Sequence, residues 1–154
     1  MTKPLNPADS FKLIIPPIVK WLGYGGLLPF VALAVAAWVN GSNSLWRNAL
    51  LAYGAVILSF VGALHWGFAM SLSGISAKQK TFSFVWSVVP ALMAWLALLM
   101  TSKYAIAMLV AGFLTHFWQD RRLVQVANLP VWYLPLRMRL TLVACIALLS
   151  GYLS

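Results

Sequence analysis

Residues Asn48 to Leu72 read NALLAYGAVILSFVGALHWGFAMSL, 25 positions without an acid, a lysine or an arginine. At 1.5 Å per residue such a helix crosses a hydrocarbon slab about 30 Å thick with some tilt. A chain holding this stretch has to satisfy its backbone internally, so a helical membrane bundle is expected. Ala55, Ser59, Ala63 and Gly67 recur every fourth residue and predict a small-residue groove for a neighbouring helix. About half a turn away, Leu58, Val61, Gly62, His65 and Ala69 form a second face that carries an ionisable group inside an apolar span.

The remaining apolar runs repeat the theme. The expected spans are about 17–39, 48–72, 82–100, 104–119 and 138–153, a single transmembrane domain over residues 1–154. Only 8% of residues are charged, far below the roughly 25% of soluble domains, so no separate soluble domain fits. Asp9 or Ser10 is expected to cap a short interfacial turn, and Asn40-Gly41-Ser42-Asn43 reads as a turn by composition. Pro29 and Pro90 each remove a rung from a helix ladder, freeing the carbonyls of Gly25 and Trp86. Asp120-Arg121-Arg122 is expected to end the fourth helix at the membrane surface. The segment from Leu123 to Arg137 mixes aromatic and basic residues, which predicts an interfacial stretch with Trp132, Tyr133, Arg137 and Arg139 in contact with lipid. That leaves the last span, from Met138 to Leu153, unusually short.

The net charge of +9 is spread in ones and twos at span ends, where it meets anionic headgroups; nucleic acid is not an expected partner. With five crossings, nine Lys and Arg fall on the amino-terminal side and only Arg47 and Lys103 opposite. The positive-inside rule then places the amino terminus in the cytoplasm, or the matrix of a mitochondrion, and the carboxyl terminus outside. A presequence rich in Arg and poor in acids is not seen, which favours the bacterial cytoplasmic membrane with a periplasmic carboxyl terminus. Cys145 is the lone cysteine, so no intrachain disulfide or covalent haem attachment is expected.

In this topology the second and fourth spans run the same way, and His65 and His116 lie at depths differing by only ~5 Å. Gly112, His116, Gln119 and Asp120 share one face of the fourth span, which places a carboxylate one turn below an imidazole. The expected site is therefore an inner-leaflet pocket formed by His65, His116, Trp66, Gly62, Gly112, Gln119 and Asp120. It would suit a lipid-like or cofactor ligand, in a non-enzymatic protein that serves a larger inner-membrane complex or a homo-oligomer. Bis-histidine haem b, with His65 and His116 as axial ligands, or a quinone-binding redox protein is the rival. A small-molecule transporter is a third reading, opposed by a nearly uncharged midplane. Against all of these stands a plainer role for each histidine as a neutral hydrogen-bonding strut between helices.

SFVGALHWG (Ser59 to Gly67), HFWQDRR (His116 to Arg122) and LPVWYLPLR (Leu129 to Arg137) together resemble the uncharacterised bacterial and mitochondrial membrane-protein family that includes transmembrane protein 69. The resemblance implies a five-helix protein of the bacterial cytoplasmic or mitochondrial inner membrane. It also implies that His65, Trp66, Asp120, Trp132, Tyr133 and Arg137 belong to the family's pattern. No catalytic role comes with it.

Overall fold

A computed structural model describes residues 13–40 and 44–153, and the cap at Asp9 or Ser10 and the turn residues 41–43 lie outside them. The described elements are all helices: α1 Pro17–Gly25, α2 Leu28–Val39, α3 Ser44–Ser71, α4 Ala77–Leu98, α5 Ser102–Val126 and α6 Tyr133–Leu153. Among the described residues four segments are long and apolar enough to cross a membrane: Pro17–Val39, which contains α1 and α2, and then α3, α4 and α6. Helix α5 is more polar, since it carries Lys103, Asp120, Arg121 and Arg122, yet its 25 residues extend ~37 Å. It packs against α3, α4 and α6 as a full member of the bundle.

The first span breaks where its sequence predicts a bend. Gly26 and Leu27 close α1 with bonds to the carbonyls of Leu22 and Tyr24, and Pro29 falls in the first turn of α2, where a missing N–H costs little. Beside the Gly25 carbonyl, which Pro29 cannot serve, Tyr53 of α3 donates its hydroxyl to the carbonyl of Gly26 at 2.8 Å. Phe30 packs edge-on to the Tyr53 ring at 4.9 Å. One hydrogen bond and one aromatic contact thus tie the bend to the central helix.

Helix α3 touches α2, α4, α5 and α6, which makes it the axis of the bundle. Its buried side is the face with Leu58, Val61, Gly62, His65 and Ala69. The groove expected from Ala55, Ser59, Ala63 and Gly67 is not the packing face: Ala55 is buried, but Ala63 and Gly67 are exposed. Small residues permit close approach only where a neighbour stands opposite, and α4 stands over Gly62. A Cβ at Gly62 would lie 2.8 Å from Cβ of Pro90 and 3.1 Å from the carbonyl oxygen of Ser87. The start of α4 carries a capping box in which Ser76 accepts from the Gln79 amide and the Gln79 side chain accepts from the Ser76 amide.

Four boundaries differ from expectation by four residues or more: α3 begins at Ser44 rather than Asn48, α4 begins at Ala77 rather than Phe82, and the other two lie on α5 and α6. Helix α5 does not stop at Gln119 but runs to Val126, and α6 begins at Tyr133 rather than Met138. Pro135 falls in the first turn of α6, where proline is tolerated, so it does not delay the helix. The interfacial segment shrinks to residues 127–132, and the last span has 21 residues, enough to cross without a thinned bilayer.

Candidate functional site

The two helix extensions bring Asp120, Tyr133 and Arg137 beside the two histidines. Asp120 and Asp9 are the only acids in the chain, and Asp120 is completely buried. Its Oδ2 accepts from Nε of Arg137 at 2.8 Å. Its Oδ1 accepts from the Tyr133 hydroxyl at 3.0 Å and from Nε2 of His65 at 3.0 Å. An arginine is always protonated, so it holds Asp120 as the carboxylate, and the His65 nitrogen facing that carboxylate carries a hydrogen.

His116 is fixed from the other side. The indole Nε1–H of Trp86 donates to its Nδ1 at 3.2 Å, and the two rings stack within 7° of parallel at 6.5 Å between centroids. An indole nitrogen is a donor only, so Nδ1 of His116 is the acceptor and its hydrogen sits on Nε2. That Nε2 lies 3.8 Å from Asp120 Oδ1, within ion-pair reach but beyond a hydrogen bond. The imidazoles of His65 and His116 meet edge to face at 4.9 Å. Their matched depth therefore holds.

A hollow between them does not. Rings in edge contact leave no slot for a porphyrin plane with one axial nitrogen on each face, so the pair does not fit haem b as arranged. One nitrogen of each histidine and a carboxylate oxygen of Asp120 all lie within 4.8 Å of one another, a 2-His-1-carboxylate set in residue types. Its chemistry opposes a cation. The His116 nitrogen nearest the carboxylate bears a hydrogen while Trp86 occupies the other, and the Arg137 guanidinium already neutralises Asp120. The cluster is a hydrogen-bonded ion pair buttressed by two oriented imidazoles.

The other expected pocket residues fall elsewhere. Gly62 is filled by Pro90, and Gly112 is covered by the side chain of Leu58, so both are helix contacts and not pocket walls. Trp66 is 49% exposed and packs edge-on to Phe84 at 4.9 Å on the outer surface. Gln119 is buried beside the cluster. Of the expected interfacial residues, Arg139 is exposed and its guanidinium donates to the Tyr24 hydroxyl at 3.2 Å. Tyr133 and Arg137 are not lipid contacts; they are only 8% and 6% exposed and face inward. Sequence reasoning missed Trp86 as well. The overlooked signal was periodic: Tyr133, Arg137 and Thr141 recur every fourth residue and draw a polar stripe down an otherwise apolar helix.

That stripe borders the cavity. A space of about 650 Å³ lies between the first span, α3 and α6, walled chiefly by apolar side chains and bordered by Tyr133, Arg137 and Thr141. His65, His116 and Asp120 stand behind this wall and do not line it. Leu22 and Phe60, 70% and 63% exposed, line the cavity and also face outward, so it opens at the side of the bundle. Nη2 of Arg137 and Oγ1 of Thr141 are buried, and no protein group within the described residues satisfies them. Unsatisfied buried donors are uncommon and call for a reason.

A family model described as "Protein of unknown function (DUF3429)" matches residues 15–153. Transmembrane protein 69 of Xenopus tropicalis is 35% identical over 144 residues, covering 90% of this chain and 55% of that protein. Transmembrane protein 69 of Mus musculus is 29% identical over 141 residues, covering 90% of this chain and 56% of its own length. The chain thus spans about half the length of these curated relatives. No solved structure matches it. A helical membrane bundle whose family match takes in the central helix, the buried ion pair and the cavity wall alike belongs to the DUF3429 family.

Proposed function

We propose that this polytopic membrane protein binds one amphiphilic molecule in the lateral cavity beside the Asp120–Arg137 pair. The observation that carries the reading is the cavity's composition. It is an apolar space of about 650 Å³ that opens at the side of the bundle and, on its α6 side, carries two buried donors without a partner among the described residues. That volume lies in the range of sites for a single small ligand. Apolar walls suit the tail, and a head with an accepting oxygen suits Arg137 and Thr141, which both line the cavity. The role we read is binding: of the polar side chains bordering the cavity among the described residues, Trp132, Tyr133, Arg137 and Thr141, the Tyr133 hydroxyl and Arg137 Nε are already engaged with Asp120.

Native mass spectrometry of the full chain after gentle extraction tests this. One amphiphile is expected to stay bound per chain and to be lost in Gly23→Phe, since Gly23 lines the cavity and its Cβ direction meets only the ends of Leu140 and Leu136 at ordinary contact distances. Bare mass for the unmodified chain, or equal retention by the filled variant, would refute it.

The orientation we propose follows the distribution of basic residues. Removing Arg137, which pairs internally, from the nine on the amino-terminal side leaves eight against Arg47 and Lys103, so the asymmetry survives. The amino terminus and the loop at residues 72–76 then face the cytoplasm or the matrix. Reporter fusions at the two ends are expected to report opposite compartments, and a shared compartment would remove one crossing from the topology.

A further inference from the structure

The charge and shape of the cavity narrow the occupant further, if the cavity is a binding site as read above. Among the described residues Arg137 is the only charged one lining it, and Asp120 neutralises Arg137 from behind at 2.8 Å. The enclosure therefore has no net charge to offer. An anionic head would enter an apolar space with no unspent cation to meet it, and a buried unpaired charge is strongly disfavoured. A cationic head fares worse, since it would meet the guanidinium. What remains complementary is an uncharged hydrogen-bond acceptor.

The donor geometry agrees. Tyr133 spends its hydroxyl on Asp120 and Arg137 spends Nε there, while Nη2 of Arg137 and Oγ1 of Thr141, one helical turn apart, have no partner among the described residues. A carbonyl oxygen has two lone pairs and accepts from both. Around these donors the wall is aromatic: Phe30, Phe60, Phe68, Phe113, Trp132 and Tyr133 all border the space. Aromatic walls favour a flat ring through offset and edge contacts. The sideways mouth at Leu22 and Phe60 gives an apolar tail a route into the bilayer.

We propose that the occupant is a quinone with an isoprenoid tail. One ring carbonyl accepts from Arg137 and Thr141, the ring lies among the phenylalanines, and the tail leaves between the first span and α3. His65 and His116 do not touch it; through Asp120 they hold Arg137 in place, as positioning residues.

Short-chain ubiquinone, decanoate and a short-chain phosphatidylcholine serve as probes, each titrated into delipidated full-length protein in detergent with tryptophan fluorescence and calorimetry as readouts. Ubiquinone is expected to saturate one site per chain and to bind more tightly than either lipid probe. Thr141→Val is the decisive variant because it keeps the side-chain shape. It is expected to weaken ubiquinone about tenfold, the loss of one hydrogen bond, while leaving the melting temperature of the unliganded protein unchanged or higher, since a buried unmet hydroxyl is removed. Preference for decanoate or phosphatidylcholine would overturn the quinone assignment and leave the amphiphile site standing. Ubiquinone binding that is indifferent to Thr141→Val would overturn the placement of the carbonyl. Binding of none of the probes would take down the cavity reading itself.

Discussion

Replacing Asp120 by alanine is expected to lower unfolding stability by about 3–5 kcal/mol, the cost of leaving one member of a buried ion pair without its partner. Three donors lose their acceptor at once: Nε of Arg137, the Tyr133 hydroxyl and Nε2 of His65. None has water to turn to, because Arg137 and Tyr133 are buried and His65 is completely so. The same change would matter little if Asp120 lay at the membrane surface pairing with Arg121 and Arg122, where an exposed pair contributes about 0–1 kcal/mol. Arg137→Met should be comparably damaging, since it strands the carboxylate. The double variant Asp120→Leu with Arg137→Met is expected to recover most of the loss, as apolar replacements for buried ion pairs often do. Equilibrium unfolding of the unmodified protein, Asp120→Leu, Arg137→Met and the double variant in one detergent closes the thermodynamic cycle. An Asp120→Ala cost below about 1 kcal/mol, or losses that simply add, would show that the ion pair is not sealed from water.

The fate of Asp120 shows where the sequence was legible and where it was not. The helical membrane bundle, the bend before Pro29 and the nearness of the two histidines follow from helix rise and apolar run length, which are one-dimensional quantities. His65, His116 and Asp120 could be singled out from the sequence, and the structure brings them together, because ionisable groups inside apolar helices stand out. Their partners on α6 were hidden by a local ambiguity. An Arg four residues from a Tyr beside two prolines reads equally well as an interfacial anchor and as the inward face of a helix. Only the tertiary position of the one buried acid decides between them. Trp86 was hidden for a similar reason, since a tryptophan near a span end is usually in the interfacial belt, and nothing local says that its N–H meets an imidazole 30 residues on. The cavity was out of reach altogether, because it arises from how three separated segments fail to fill the space between them.

The glycines of α3 separate the two kinds of small-residue signal, and substitution to alanine is expected to split them sharply. At Gly62 a new Cβ has to enter space held by the Pro90 ring at 2.8 Å and by the Ser87 carbonyl at 3.1 Å. Neither neighbour is the far end of a flexible chain, and Pro90 is fixed within α4. Relief requires α3 and α4 to move apart along the most extensive helix contact of the bundle. Overpacking of this kind costs about 1–3 kcal/mol, and Gly62→Leu is expected to exceed that range and to prevent assembly. Gly67, five residues on, has nothing within 4 Å of the same direction. Gly67→Ala is therefore expected to be neutral or to stabilise by up to about 1 kcal/mol through helix propensity. Gly112→Ala falls between them, because it meets only the movable end of Leu58. Melting temperatures of the three alanine variants, measured in one detergent, should rank Gly67 highest, then Gly112, then Gly62. Equal behaviour at Gly62 and Gly67 would mean that α3 and α4 do not cross at this point, and the contact that sets the depth of His65 beside His116 would lose its support.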